Sequence, residues 1–118
     1  MSKYDLEDRT LTFAIQVRRY VKSLPNSMVN FEDGRQVVKA SGSIGANYIE
    51  ANEKLGPKDF GFRLKIARKE AKETKYWLRV IKGCNHLSSA KMKELDLLID
   101  EAEQLRRIIS TIINNTAK

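Results

Sequence analysis

Residues 60–82 read FGFRLKIARKEAKETKYWLRVIK. Phe60, Leu64, Ala67, Ala71, Thr74, Leu78 and Ile81 recur through this stretch at alternating steps of four and three. That spacing marks one buried stripe along an α-helix, and no two-residue alternation competes with it. Pro57, after Gly56, suits the first position of such a helix, and Gly83 reads as its C-terminal cap. The spacing therefore predicts a helix over about Lys58 to Lys82.

The same period extends in both directions. Val37, Ser41, Ile44, Tyr48 and Ala51 predict a helix from about Arg35 to Lys54, with Asn26 to Gly34 as a loop before it. Leu6, Thr10, Phe13, Val17, Tyr20 and Leu24 predict another from about Asp5 to Leu24, which Pro25 cannot continue. A fourth begins near Ser88, a suitable N-cap between the apolar residues Leu87 and Met92. It carries Leu95, Leu98, Ala102, Leu105, Ile109 and Ile112. Four long helices with short connections predict an all-α, antiparallel up-down four-helix bundle, a single domain over residues 1–118. The helices are too long and regular for a helix-turn-helix reader of DNA.

Composition narrows the class of function. Of the 118 residues, 22 are Lys or Arg and 15 are Asp or Glu, a formal charge of +7 that favours an acidic partner. Residues 57–84 carry nine bases against three acids, so nearly all of the excess lies on helix three. One cysteine, Cys84, excludes an internal disulfide and suits a reducing cytoplasm. No apolar run approaches the ~20 residues that cross a bilayer, and the polar, acidic N-terminus is wrong for a signal peptide.

Catalytic chemistry is poorly supplied. The one histidine, His86, stands two residues from Cys84, and two ligands make no closed metal site. Gly42-Ser43-Ile44-Gly45 lacks both the third glycine of a dinucleotide fingerprint and the lysine of a phosphate loop. No enzymatic activity, metal, cofactor or small-molecule substrate is expected.

The run Ala40-Ser41-Gly42-Ser43-Ile44-Gly45-Ala46 is unusually small for a helix interior. Each glycine costs about 0.8–1 kcal/mol against alanine there. Close approach of a neighbouring helix would compensate, and close approach of a ligand is the other reading. Asn47 and Glu50 follow at helical spacing beside the seam. They read either as flank groups bonding a neighbouring helix or as a buried polar network that fixes register or an oligomer contact.

Gly42-Ser43-Ile44-Gly45-Ala46-Asn47-Tyr48-Ile49-Glu50-Ala51 resembles the Ser-Ile-x-x-Asn-x-x-Glu signature of a bacterial four-helix-bundle family encoded in intervening sequences of 23S ribosomal RNA genes. The resemblance continues through Lys58-Asp59-Phe60, Ile66 to Thr74 and Tyr76-Trp77-Leu78, and covers about Leu6 to Leu105. Ala51 departs from the glycine that many relatives carry there. The resemblance implies a ring-like homo-oligomer, commonly a pentamer, without enzymatic activity. It also implies kinship with accessory proteins of diversity-generating retroelements, which bind a reverse transcriptase and nucleic acid through a basic surface.

Helix three has two unlike flanks. Lys65, Arg68, Lys72, Lys75, Arg79 and Lys82 form an unbroken basic stripe on one side of the seam. It reads either as a solvated flank paired with Asp96, Asp100 and Glu103 of helix four, or as a surface for phosphates. Tyr76 beside it, and Phe62, could stack on unpaired bases. The opposite flank carries Ile66, Trp77 and Val80, and helix one carries Leu11 and Ile15 off its seam. This apolar surplus points to self-association with Trp77 as anchor, or to Trp77 as a core-edge residue of its own chain. The expected activity is electrostatic binding of RNA or a ribonucleoprotein by a cytoplasmic homo-oligomer. A protein-interaction scaffold with no direct nucleic-acid contact is the alternative.

Overall fold

The computed structural model describes residues 3–53 and 55–116, with side chains from Asp5 onward. Its four helices are α1 (Lys3–Lys22), α2 (Met28–Ala51), α3 (Pro57–Cys84) and α4 (Ser89–Thr116). They stack as an antiparallel up-down bundle 46 Å long and about 20 Å thick. α2–α3 and α3–α4 are the most extensive pairings, and α1–α4 is by far the sparsest. Every seam residue predicted for α1 and α2 is buried, as are those of α3 except Phe60, which packs at the edge of the core.

The ends of α2 and α3 and one seam position of α4 differ from the sequence reading. α2 starts at Met28, seven residues before Arg35, because Ser27 caps it by accepting the Asn30 N–H at 3.0 Å. Asn30 and Gly34 then continue the α2 seam inward. The Asn30 side chain donates to Pro25 O and exchanges hydrogen bonds of 2.8 and 2.9 Å with the Asn85 side chain. That exchange ties the α1–α2 turn to the α3–α4 turn. At its other end α2 stops at Ala51 with Asn52 as C-cap, and the expected terminus at Lys54 lies outside the described residues. Gly83 sits inside α3, whose C-cap is Asn85. In α4, Ile113 is buried and Ile112 only half-buried, because 3.6 residues per turn drift against a seven-residue repeat over so long a helix. Ser88 does cap α4, accepting from the Lys91 N–H at 3.2 Å.

The small residues of α2 admit α1. A Cβ at position 45 would stand 2.7 Å from Thr10 Oγ1 and 3.0 Å from Thr10 Cβ. At position 34 it would stand 2.8 Å from Val21 Cγ1, and at position 42 it would stand 3.0 Å from the Arg18 guanidinium. Thr10 cannot turn away cheaply, since its hydroxyl donates to the carbonyls of Leu6 and Glu7 within its own helix. Gly61 and Gly83, by contrast, have open space where a Cβ would go. Gly45→Ala is therefore expected to lose stability, because overpacking costs about 1–3 kcal/mol against ~1 kcal/mol of helix propensity gained. Gly61→Ala is expected to gain up to about 1 kcal/mol. Thermal melts of the two variants check both signs.

Candidate functional site

α3 is amphipathic in charge as well as in hydropathy, and its neighbours decide which of its cations are available. Because α3 and α4 run antiparallel, residues seven apart on one meet residues seven apart on the other. Lys75 Nζ lies 3.4 Å from Glu103 Oε1, and Lys82 Nζ lies 2.7 Å from Asp96 Oδ1. Two of the six stripe cations are thus partnered by acids of α4. Asp100, the third acid on that helix face, instead accepts from Gln104. Lys65, Arg68, Lys72 and Arg79 make no ion pair among the described residues, and all but the half-buried Arg68 are exposed.

Glu103 is the hub of the remaining charge. Its carboxylate accepts from Arg106 at 2.6 and 3.0 Å and from Arg107 at 2.8 Å, besides Lys75. The Arg106 hydrogen bonds hold its carboxyl well below the usual carboxylate range, against an opposing effect of burial, with Arg107 and Lys75 adding to the depression. One anion among three cations leaves a local positive excess. Beyond Glu103 the chain contains no Asp or Glu at all. The basic surface therefore crosses from α3 onto the C-terminal half of α4. Arg106 and Arg107 are absent from the sequence reading because helix four is neutral as a whole. The acid-free tail after Glu103 was the signal that could have found them.

Tyr76 is exposed beside Lys72 and Arg79, and its ring meets that of Trp77 edge-on at 5.1 Å. Trp77 itself is half-buried against the core. Ile66 and Val80 are also half-buried, on the flank that faces α2. On that flank burial raises the Glu70 carboxyl pKa, Glu73 adds to the rise, and Lys69 and the α2 residue Lys39 oppose it. Leu11 and Ile15 are exposed, at 59% and 39%. The exposed apolar residues Met28, Phe31 and Ile49 of α2 join them in the inventory of uncovered surface. Met28 and Phe31 escaped the sequence reading because their segment read as a loop.

Asn47 and Glu50 form no buried network among the described residues. Asn47 donates to Ser43 O of its own helix at 2.8 Å, and Glu50 is exposed without an ion pair among the described residues. Cys84 and His86 are exposed, and among the described residues no three His, Cys, Asp or Glu side chains gather as a metal site. No helix of the described residues is long and apolar enough to cross a membrane.

The family described as 23S rRNA-intervening sequence protein matches residues 2–115. Among solved structures, one similar chain is a protein of unknown function from the S23 ribosomal protein family of Bacteroides thetaiotaomicron VPI-5482. It is 28% identical, with a TM-score of 0.84, over 97% of this chain and 99% of that one. No curated protein matches.

The Glu103 hub makes a pH prediction. A carboxyl depressed below its usual value of 4.5 contributes stability that is complete above that pH. The contribution drains away as pH falls toward the lower folded value. NMR titration should find Glu103 still ionised well below the usual carboxylate range, and Arg106→Ala should move its midpoint back up toward that range.

Proposed function

This chain belongs to the 23S rRNA-intervening sequence protein family, and from that premise we propose that it binds RNA through the basic surface of α3 and α4. The observation that carries the reading is the distribution of unpartnered charge. Lys65, Arg68, Lys72 and Arg79 stand at helical spacing with no acidic partner among the described residues, next to the arginines gathered on Glu103. Cations three and four apart repel by a few tenths of a kcal/mol per pair. A phosphate backbone removes that repulsion and releases counterions. The contact is with phosphates and carries no base-specific reading. The chain has one histidine and one cysteine, both exposed at the α3–α4 turn, and no metal-holding cluster among the described residues, so this reading is of binding, in a bacterial cytoplasm, rather than catalysis.

The protein acts as a homo-oligomer in this reading, a closed ring for which five subunits are expected. Uncovered Leu11, Ile15 and Ile49 support it, since the Thr10–Gly45 contact brings Leu11 level with the 45–49 stretch of α2. Ile66, Trp77 and Val80 would complete a second face, and two unlike faces close a cyclic assembly. The same uncovered apolar surface favours a second reading, a scaffold that presents an oligomer to another protein without touching RNA.

Binding of a labelled RNA hairpin across a salt series separates the two. The log affinity should fall linearly with log salt, and Lys72→Glu with Arg79→Glu should weaken binding and flatten the slope by about 1.5–2. Glu103→Gln, which releases Lys75, Arg106 and Arg107, should tighten it. An unchanged affinity and slope in the double variant would remove the α3 surface from the mechanism, and no binding by the native chain would overturn the RNA reading and leave the scaffold.

Light scattering tests the assembly. The native chain should exceed monomer mass at micromolar concentration, and Leu11→Lys with Ile49→Lys should lower that mass while helicity is retained. A monomeric native chain would sink the ring.

A further inference from the structure

We infer that the basic surface of α3 takes single-stranded rather than duplex RNA, with unpaired bases stacked on Phe62 and Tyr76 and phosphates held between them. The inference rests on the reading of that surface as an RNA site and specifies what kind of RNA enters it.

The cations left free by α4 do not stand alone. Phe62, Lys65, Lys69, Lys72, Tyr76 and Arg79 follow one another at steps of three, four, three, four and three, so they form a single ridge along α3. All six are exposed. The inner cations Lys75 and Lys82, which bond to Glu103 and Asp96, lie off this ridge toward α4. What faces solvent is therefore an aromatic ring, three lysines, a second ring and an arginine. At 1.5 Å per residue the two rings are about 21 Å apart, which leaves room for several nucleotides.

Both rings are 59% exposed, so neither is spent on the core. Both are nonetheless held by neighbours. Tyr76 is braced edge-on by Trp77, with the planes 79° apart, and Trp77 packs on the core. Phe62 has the Arg63 guanidinium 6.0 Å from its centroid, and Arg63 is itself 3.8 Å from Asp59. A ring with restricted motion loses less entropy when a base stacks on it. Of the three lysines, Lys65 and Lys72 have no ion pair among the described residues. Lys69 reaches Glu73 only at 4.0 Å in an exposed pair, a contact weak enough for a phosphate to displace.

A duplex has no use for these rings. Its base faces are covered by their neighbours in the stack, and its outer surface offers phosphates, sugars and base edges but no internal π-face. An unpaired strand offers π-faces and phosphates together, the combination on which sequence-tolerant single-strand binders rely. Alternation of rings and cations along one ridge is complementary to that strand.

Anisotropy with two labelled probes tests this: oligouridine of about twelve nucleotides, and a blunt RNA duplex of the same length. The native protein should bind oligouridine more tightly than the duplex. Phe62→Leu and Tyr76→Leu, substitutions at exposed positions whose fold is checked by circular dichroism, should each weaken oligouridine about 5-fold or more and leave the duplex unchanged. Lys65→Gln with Lys72→Gln should weaken both probes. Equal binding of the two probes, with the leucine variants indistinguishable from native, would overturn the single-strand inference while the RNA reading stands. Binding of neither probe would overturn both.

Discussion

Thr10 and Gly45 meet where α1 crosses α2, and the missing Cβ at position 45 sets how near the two backbones come. Gly34 against Val21 and Gly42 against Arg18 repeat the arrangement along the same crossing. Each glycine is unfavourable in isolation, and the close approach it permits is the return. α1 is drawn to α2 and stands off from α4. Across that wider gap the links are polar: Arg9 forks onto Glu101 at 2.7 and 2.8 Å, and the Tyr20 hydroxyl donates to Lys91 O at 2.8 Å. The Lys91 ammonium also lies 5.4 Å above the Tyr20 ring. α3, packed on both α2 and α4, becomes the axis around which the charge of the molecule is sorted.

That sorting is done largely by α4. Two of its acids meet cations of α3: Asp96 takes a single lysine, and Glu103 holds Lys75 together with Arg106 and Arg107 of its own helix. Acid stops at Glu103 and the basic ridge of α3 does not, so positive potential accumulates toward the α3 N-terminus and the α4 C-terminus. Exposed pairs such as Lys82–Asp96 contribute little to stability. Their effect is to define where the free charge begins.

Much of this architecture was legible in the residues. Seams of period 3.5 to 3.6 need no partner to be recognised, and Leu6 through Leu105 repeat theirs with few interruptions. The first turns of α2 were not legible. Asn30 is a polar residue buried by a partner 55 positions away, and Gly34 is a small one buried by Val21. Both look like loop residues until the other helices are present. The site was half legible for a related reason. Six cations on one flank are visible in the chain, but which of them are neutralised depends on the register of α3 against α4. Arg106 and Arg107 were hidden because three and four residues from a glutamate they look like ordinary intrahelical pairs. Lys69 was likewise not legible as a neighbour of the stripe, because sorting by flank separates the ridge from its own inner edge.

The sparse α1–α4 seam also has a consequence for motion. Stability in a helical protein is not shared evenly, and elements with few buried contacts open at lower free energy than the rest. α2, α3 and α4 bury against one another in sequence order, whereas α1 adds its buried Leu6, Phe13 and Val17 mainly through its close approach to α2 and reaches α4 by a sparse seam with a few polar links. Its amides would exchange with solvent before those of the other three helices. Such opening would uncover Phe13 and Val17 while leaving the α3–α4 charge pattern intact. The N-terminal helix thus behaves as a removable stave, and the remaining three as the barrel's standing wall.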